Sequence, residues 1–131
     1  MKRATALLLT ILVLGIFHSA LAQKTESPNA AKLNTEANEA LELMVKEDFE
    51  TLYSRLNEAT QKELPAQKLK EFWGSVLAEA GQFQKVLKSE VKEGAKNSVV
   101  YLKCQFAKGI LYFRLGINSE HKISGISVDT E

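Results

Sequence analysis

The stretch from Val100 to Ile117 constrains the fold of this chain most strongly, because its apolar residues alternate with polar or amphipathic ones. Such alternation is typical of β-strands with one buried face, and Lys108-Gly109 near the middle predicts a two-residue hairpin turn. Cys104 then lies opposite Phe113, and a slip of one residue would mix the two faces, so burial favours this pairing. The predicted buried face comprises Val100, Leu102, Cys104, Phe106, Leu111, Phe113, Leu115 and Ile117.

The first 22 residues have the pattern of a secretory signal peptide. A short positive segment is followed by an apolar run from Ala6 to Phe17, and Ala20-Leu21-Ala22 offers small residues to a signal peptidase. The run is shorter than the ~20 apolar residues of a membrane-spanning helix, which disfavours an uncleaved anchor. We therefore predict an exported protein, periplasmic or secreted, that is not membrane-bound after cleavage. A linker over residues 23–30 would precede a single domain over residues 31–131.

Composition narrows the classes of function. Lys2 and Arg3 are lost with residues 1–22, which leaves 15 basic and 16 acidic residues and gives no electrostatic case for nucleic-acid binding. The remaining chain holds one cysteine, Cys104, and one histidine, His121, and its acidic residues lack metal-ligand spacing. Cys104 is interpreted as a small core residue rather than a nucleophile, and His121 as a solvated turn residue. We predict no catalytic residue, no metal site and no cofactor.

Three amphipathic helices are predicted before the hairpin. The first begins near Asn29 or Asn34 and carries apolar residues at helical spacing. Asp48 is the expected N-cap of the second helix. The third begins at Pro65, which suits a first helical turn, and ends at Gly81, a typical C-cap residue.

From Gln82 onward the period changes from helical to two. Phe83, Leu87 and Val91 predict a first strand, and a last strand follows the hairpin from Ile123 to Val128. We expect a β-bulge near Gly125. Ile123 and Ile126 can both face the core only if the strand contains one extra residue between them. Helices grouped before strands predict an α+β fold, with three N-terminal helices packed on a curved four-stranded antiparallel sheet.

Three short motifs carry a resemblance to a known family. They are Leu69-x-x-x-Trp73, Gly81-x-Phe83 and Ile123-Ser124-Gly125-Ile126. With these motifs the chain, over about residues 35 to 130, resembles a bacterial family of unknown function in the nuclear transport factor 2-like superfamily. The resemblance implies a cone-shaped fold and export. Some members of that family precede an α/β-hydrolase domain, and this chain is similar to the stand-alone form.

The interior of the predicted cone supplies candidate binding residues. Tyr53 places a hydroxyl on the apolar face of the second helix, where a locally hydrogen-bonded core tyrosine is the alternative to a catalytic one. Trp73 is interpreted as a core anchor or, alternatively, as a ligand platform. The pocket candidates are Tyr53, Trp73, Phe83, Cys104 and Phe113.

The outer face of the predicted sheet is richer in aromatic and aliphatic residues than an ordinary solvent-exposed face. In the predicted register Lys103 opposes Arg114, with Glu90 as an acidic partner for both, and Tyr101 covers Gly116. This pattern predicts an interaction face, most simply a homodimer through the sheet, with an ordinary amphipathic surface as the alternative. The interface candidates are Val99, Tyr101, Lys103, Tyr112 and Arg114.

Together these patterns predict an exported, non-catalytic module that binds a small apolar ligand, a copy of itself or another envelope protein. Two alternatives stay open. One is a small isomerase, lyase or hydrolase-like enzyme that uses the cone pocket with Tyr53 and an unidentified acid. The other is an accessory protein of a separate hydrolase.

Overall fold

The computed structural model describes residues 26–130, in which four helices precede four strands. The helices are α1 (Pro28–Val45), α2 (Phe49–Ser54), α3 (Glu58–Glu63) and α4 (Ala66–Ala80). The strands are β1 (Phe83–Lys92), β2 (Asn97–Phe106), β3 (Gly109–Asn118) and β4 (Ile123–Thr130). The α+β class with a four-stranded antiparallel sheet is confirmed. The signal peptide predicted for residues 1–22 lies outside the described residues.

Local capping groups determine where the helices begin and end. The Ser27 hydroxyl accepts a hydrogen bond from the backbone N–H of Ala30, so α1 begins at Pro28, inside the segment predicted as a linker. Asp48 caps α2, as predicted, by accepting from the N–H of Thr51. Gly81 ends α4, also as predicted, with a φ of 81° that favours glycine.

The predicted number of three helices is wrong, because α3 was not predicted. This helix has six residues, and the side chain of Asn57 caps it by accepting from the N–H of Thr60 at 2.8 Å. Thr60 is its one buried residue. A single buried position leaves no apolar stripe, so the pattern that revealed the other helices is missing here.

The sheet is a meander in the order β1-β2-β3-β4. The inward residues of β2 and of the second half of β3 are fully shielded by the helices, in agreement with the predicted face. They are Val100, Leu102, Cys104, Phe106, Phe113, Leu115 and Ile117, each 0–1% exposed.

The predicted hairpin register is wrong by two residues. Cys104 lies opposite Leu111, because the turn consists of Ala107-Lys108 and not of Lys108-Gly109. The N–H of Ala107 donates to the carbonyl of Gln82 at 2.9 Å, and the N–H of Lys108 donates to the carbonyl of Ala80 at 2.8 Å. The turn is therefore held by the connection between α4 and β1. A shift of two preserves the period of the strand, which is why the buried face is still correct.

Strand β1 contains two irregularities that move one predicted residue to the other face. Register shifts fall between Phe83 and Lys85 and between Val86 and Lys88. Leu87 lies in the second shift and is 42% exposed, so its expected place on the inner face is wrong.

Strand β4 contains the bulge that the sequence predicted. Gly125 pairs with Gly116 and Ile123 pairs with Ile117, so Ser124 is the extra residue. The bulge allows Ile123 to be buried at the start of the strand while the later residues keep their alternation.

One hydrophobic core lies between the helices and the sheet. Trp73 of α4 lies at its centre, with its ring centroid 6.0 Å from that of Phe106 and 6.1 Å from that of Phe113. A short parallel bridge joins the two layers: the N–H of Ile123 donates to the carbonyl of Arg55, and the N–H of Asn57 donates to the carbonyl of Ile123, both at 2.9 Å.

Candidate functional site

Three of the predicted pocket residues lie together in the core. Trp73 is 3% exposed, and Cys104 and Phe113 are 0% exposed. Phe83 is half-buried at the margin of the core, where its ring packs edge-on against the ring of Phe106. Tyr53 is on α2, half-buried, and packs against the core. The structure thus brings Trp73 and Phe113 into contact, and their role in ligand binding stays a prediction.

Cys104 has the environment of an inert thiol. Its Sγ lies 3.6 Å from the carbonyl oxygen of Leu102, to which the thiol donates a weak hydrogen bond. Burial raises the pKa of Cys104 to about 12, because the surrounding apolar side chains cannot solvate a thiolate. The thiol therefore stays protonated at neutral pH, as expected for a core residue.

A groove of about 420 Å³ opens between the second half of α4 and the adjacent ends of β3 and β4. Its floor is apolar, and its margin carries exposed residues of both charges. The floor comprises Phe72, Val76, Ala80, Leu111 and Val128. The margin includes Ser75, Glu79, Lys108, Asp129 and Thr130.

The groove exists because α4 covers only part of the inner face of the sheet. Phe113 and Val128 are paired neighbours on that face, yet Phe113 is fully buried and Val128 is half-buried. Leu111, two residues before Phe113, is half-buried as well. This groove was not predictable from the sequence, because apolar periodicity identifies the inner face but not the part of it that a helix covers.

A histidine and a carboxylate meet on the opposite side of the molecule. His121 Nδ1 lies 2.8 Å from Glu36 Oε1, and their side chains are 28% and 22% exposed. The contact joins the turn between β3 and β4 to α1. His121 lies in a turn, as predicted, but its side chain packs against α1 and is not freely solvated. The two residues are 85 positions apart, and no local sequence pattern connects them.

The outer face of the sheet has different neighbours from those predicted, because of the two-residue register error. Tyr101 lies opposite Arg114 and not Gly116, and Lys103 lies opposite Tyr112 and not Arg114. The predicted like-charge pair between β2 and β3 is therefore wrong, and so is the covering of Gly116 by Tyr101.

Arg114 finds its acidic partner on β4. Its guanidinium lies 3.5 Å from a carboxylate oxygen of Asp129, and its Nε donates to the hydroxyl of Ser127 at 3.4 Å. Glu90 lies opposite Tyr101. The expectation that Glu90 would lie between Lys103 and Arg114 therefore does not hold.

The five interface candidates are nevertheless neighbours on one surface. The ammonium group of Lys103 lies 5.8 Å from the ring centroid of Tyr112, and that of Lys92 lies 5.3 Å from the ring of Tyr101. A cleft of about 280 Å³ opens beside them, lined by Lys88, Ser89, Glu90, Tyr101, Lys103 and Tyr112. Dimerisation through this face stays a prediction.

Residues 26–130 contain neither a cluster of metal-binding side chains nor a membrane-spanning helix. Within that range, no group of three or more His, Cys, Asp and Glu side chains is arranged to hold a metal ion. None of the four helices in the same range has the length and apolar character needed to cross a membrane.

The arrangement defines an α+β protein whose helices precede and cover a four-stranded antiparallel sheet. A family model described as "Protein of unknown function (DUF3887)" matches residues 37–126, from the middle of α1 into β4. This match spans more than half of the chain, and the chain belongs to that family. Searches among curated proteins and among solved structures returned no match.

Proposed function

We propose that this protein is an exported, non-catalytic binding module, and that the groove beside α4 holds a small apolar ligand. The apolar floor of the groove is the observation that carries the proposal. Ligand sites are typically concavities of about 300–1,000 Å³ with mostly apolar walls and a few polar groups, and the volume of about 420 Å³ lies in that range.

The position of the titratable groups supports binding rather than catalysis. Glu79, Lys108 and Asp129 are exposed at the groove margin, where water solvates their charges. General acids and bases typically lie beside the reacting atoms and are shielded from bulk water, and these three side chains are not shielded. Tyr53, the hydroxyl that an isomerase or lyase would use, is on α2 and outside the residues that line the groove.

The nuclear transport factor 2-like cone is part of the same proposal. Its support is the order of the elements, with helices first and a meander of four antiparallel strands afterwards. The bulges in β1 and β4 add support, since bulges increase the local twist that lets a sheet curve around helices.

Binding can be measured with the neutral fluorophore N-phenyl-1-naphthylamine as the probe. We expect a saturable increase in fluorescence with the wild-type protein. Val128→Lys, which places a charge on the groove floor, should weaken the affinity about tenfold, or about 1.4 kcal/mol. Val45→Lys is the matched control, because Val45 is a 38% exposed valine on α1 and outside the groove.

Thermal unfolding of both variants establishes that they are folded. Equal affinities of the two variants would overturn the assignment of the site. A folded wild-type protein without saturable binding, together with native mass spectra of the protein from its own envelope that show no bound small molecule, would overturn the binding function.

Export is tested separately by the mass of the mature chain. Cleavage after Ala22 gives a protein that begins at Gln23, and intact-mass measurement of the protein from its native host should show that N-terminus. A mature protein that retains Met1 would contradict cleavage.

A further inference from the structure

The outer face of the sheet carries a local excess of positive charge. It holds five of the 14 Lys and Arg residues within residues 26–130, but only two of the 15 Asp and Glu residues. The cations are Lys85, Lys88, Lys92, Lys103 and Arg114, and the acids are Glu90 and Asp129. The face therefore has a net charge of +3 while the rest of the described chain has −4. We call this surface the basic sheet face.

Two of the lysines oppose each other directly. Lys88 of β1 pairs with Lys103 of β2, and like charges at such a position destabilise a sheet. Asp129 is already paired with Arg114, and Glu90 lies opposite Tyr101. The cleft of about 280 Å³ lies beside the two lysines. A carboxylate from a partner would relieve the repulsion between them.

The basic sheet face also offers area for apolar contact. Tyr101 and Tyr112 are half-buried at its centre, and Leu87 is 42% exposed at its β1 side. Tyrosine and arginine are typical of the residues that dominate protein–protein binding energies, whereas a surrounding charge excess mainly accelerates and orients association. This combination fits the side chains of a polypeptide better than the head groups of a lipid surface.

The size and charge of the face disfavour a homodimer through two copies of it. Four strands of eight to ten residues, spaced about 4.8 Å apart and rising about 3.3 Å per residue, span about 600 Å². A standard stable interface buries about 800 Å² on each partner. Two such faces would also oppose net charges of the same sign. A smaller partner needs less contact area than a second copy of the face does, and a negatively charged partner is attracted to the face instead of repelled.

We propose that the basic sheet face docks an acidic segment of another polypeptide. Carboxylates of the segment lie between Lys88 and Lys103, and its apolar side chains lie over Tyr101 and Tyr112. This proposal does not rest on ligand binding in the groove, which lies near α4 on the other side of the sheet and shares only Asp129, on the edge strand β4, with the basic sheet face.

The probe is a synthetic dodecapeptide of Glu, Asp and Leu, compared with the same peptide in which Gln and Asn replace the acids. In a titration followed by amide chemical shifts, the acidic peptide should shift signals on β1, β2 and β3, and its binding should weaken as salt is raised. The neutral peptide should not bind.

Charge reversal locates the contact. The double variant Lys88→Glu/Lys103→Glu should abolish binding of the acidic peptide. The control is Lys62→Glu/Lys68→Glu, which changes the net charge by the same amount at exposed positions on α3 and α4. This control should still bind the acidic peptide. Unfolding curves verify that both double variants are folded.

Four results would overturn the proposal. The control variant could lose binding as fully as the Lys88/Lys103 variant, or the neutral peptide could bind as tightly as the acidic one. The wild-type protein could bind phosphatidylglycerol vesicles but not the peptide, which would identify a membrane surface instead. Light scattering could show a wild-type dimer that Lys88→Glu/Lys103→Glu converts to monomers.

Discussion

Cys104 lies in the middle of β2, and its orientation was predictable from the alternation of the strand alone. Its chemistry was not predictable in the same way. The raised pKa depends on complete burial of this part of the inner face by the helices, and this burial is a property of the assembled layers. Leu111 shows the contrast, because it is on the same face and remains half-buried at the groove.

The thiol of Cys104 should make the stability of the protein depend on alkaline pH. The unfolded chain ionises this thiol with an ordinary pKa near 9.0, whereas burial raises the pKa of Cys104 in the folded protein to about 12. Between these values the unfolded state binds fewer protons, so the free energy of unfolding decreases as pH rises. Cys104→Ala lacks this contribution.

Urea unfolding of the wild type and of Cys104→Ala at several alkaline pH values tests this expectation. The difference in the free energy of unfolding between the two proteins should shrink above pH 9.0, because residue 104 is the only position at which the two proteins differ. A difference that stays constant with pH would show that the thiol does not respond to burial.

Gly81 should tolerate no side chain. Its φ of 81° and ψ of −167° belong to a region that is nearly exclusive to glycine, and a Cβ there would lie 2.9 Å from the Cβ of Ala107. We expect Gly81→Ala to lower the free energy of unfolding by about 1–3 kcal/mol in urea titrations.

Gly74, inside α4, provides the matched control. It is exposed on α4, and a Cβ added there has no neighbour within 4 Å. Gly74→Ala should raise the free energy of unfolding by about 0.5–1 kcal/mol through lower backbone entropy in the unfolded chain. Equal effects of the two substitutions would contradict the role of backbone conformation at Gly81.

At the scale of single elements, the sequence predicted which strands exist and which face of each is buried. It did not predict the hairpin register, because the Ala107-Lys108 turn is positioned by hydrogen bonds to Ala80 and Gln82, which come from a separate element. The two shifts in β1 were likewise not readable from its alternation. For this reason, every pair that was predicted between β2 and β3 on the outer face is wrong by two residues.

Helix α3 depends on its cap more than on burial. Asn57→Ala removes the side-chain oxygen that accepts from the N–H of Thr60, and should lower the free energy of unfolding by about 1 kcal/mol. Asn57→Asp keeps an acceptor at the N-terminus and should be nearly neutral. Thermal unfolding distinguishes the two variants. A loss with Asn57→Asp as large as with Asn57→Ala would show that the amide, and not the cap, is required.

At the scale of the whole molecule, the candidate sites result from how the layers meet. The groove depends on where α4 crosses the sheet, and the contact between His121 and Glu36 depends on where the last turn meets α1. Neither position follows from a periodic pattern. The positive charge of the outer face was present in the sequence, but its concentration became evident only when the strands were paired correctly.

The contact between His121 and Glu36 should help to hold the sheet to α1. A double-mutant cycle with His121→Ala and Glu36→Ala should give a coupling energy of about 1 kcal/mol, as for a hydrogen bond that is partly shielded from water. The exposed pair Glu42–Lys46, within α1, is the comparison and should couple more weakly, because water screens its charges. Coupling at His121 no larger than at Lys46 would mean that the contact contributes nothing beyond an exposed ion pair.

The hairpin tip has a consequence for the rate at which the ligand that we propose for the groove would bind. Lys108 belongs both to the turn that α4 and β1 hold in place and to the margin of the groove. The amide protons of Ala107 and Lys108, although located in an exposed loop, should therefore exchange slowly with deuterium. A cavity with such a rigid rim is preorganised, so association should follow diffusion rather than wait for the backbone to open.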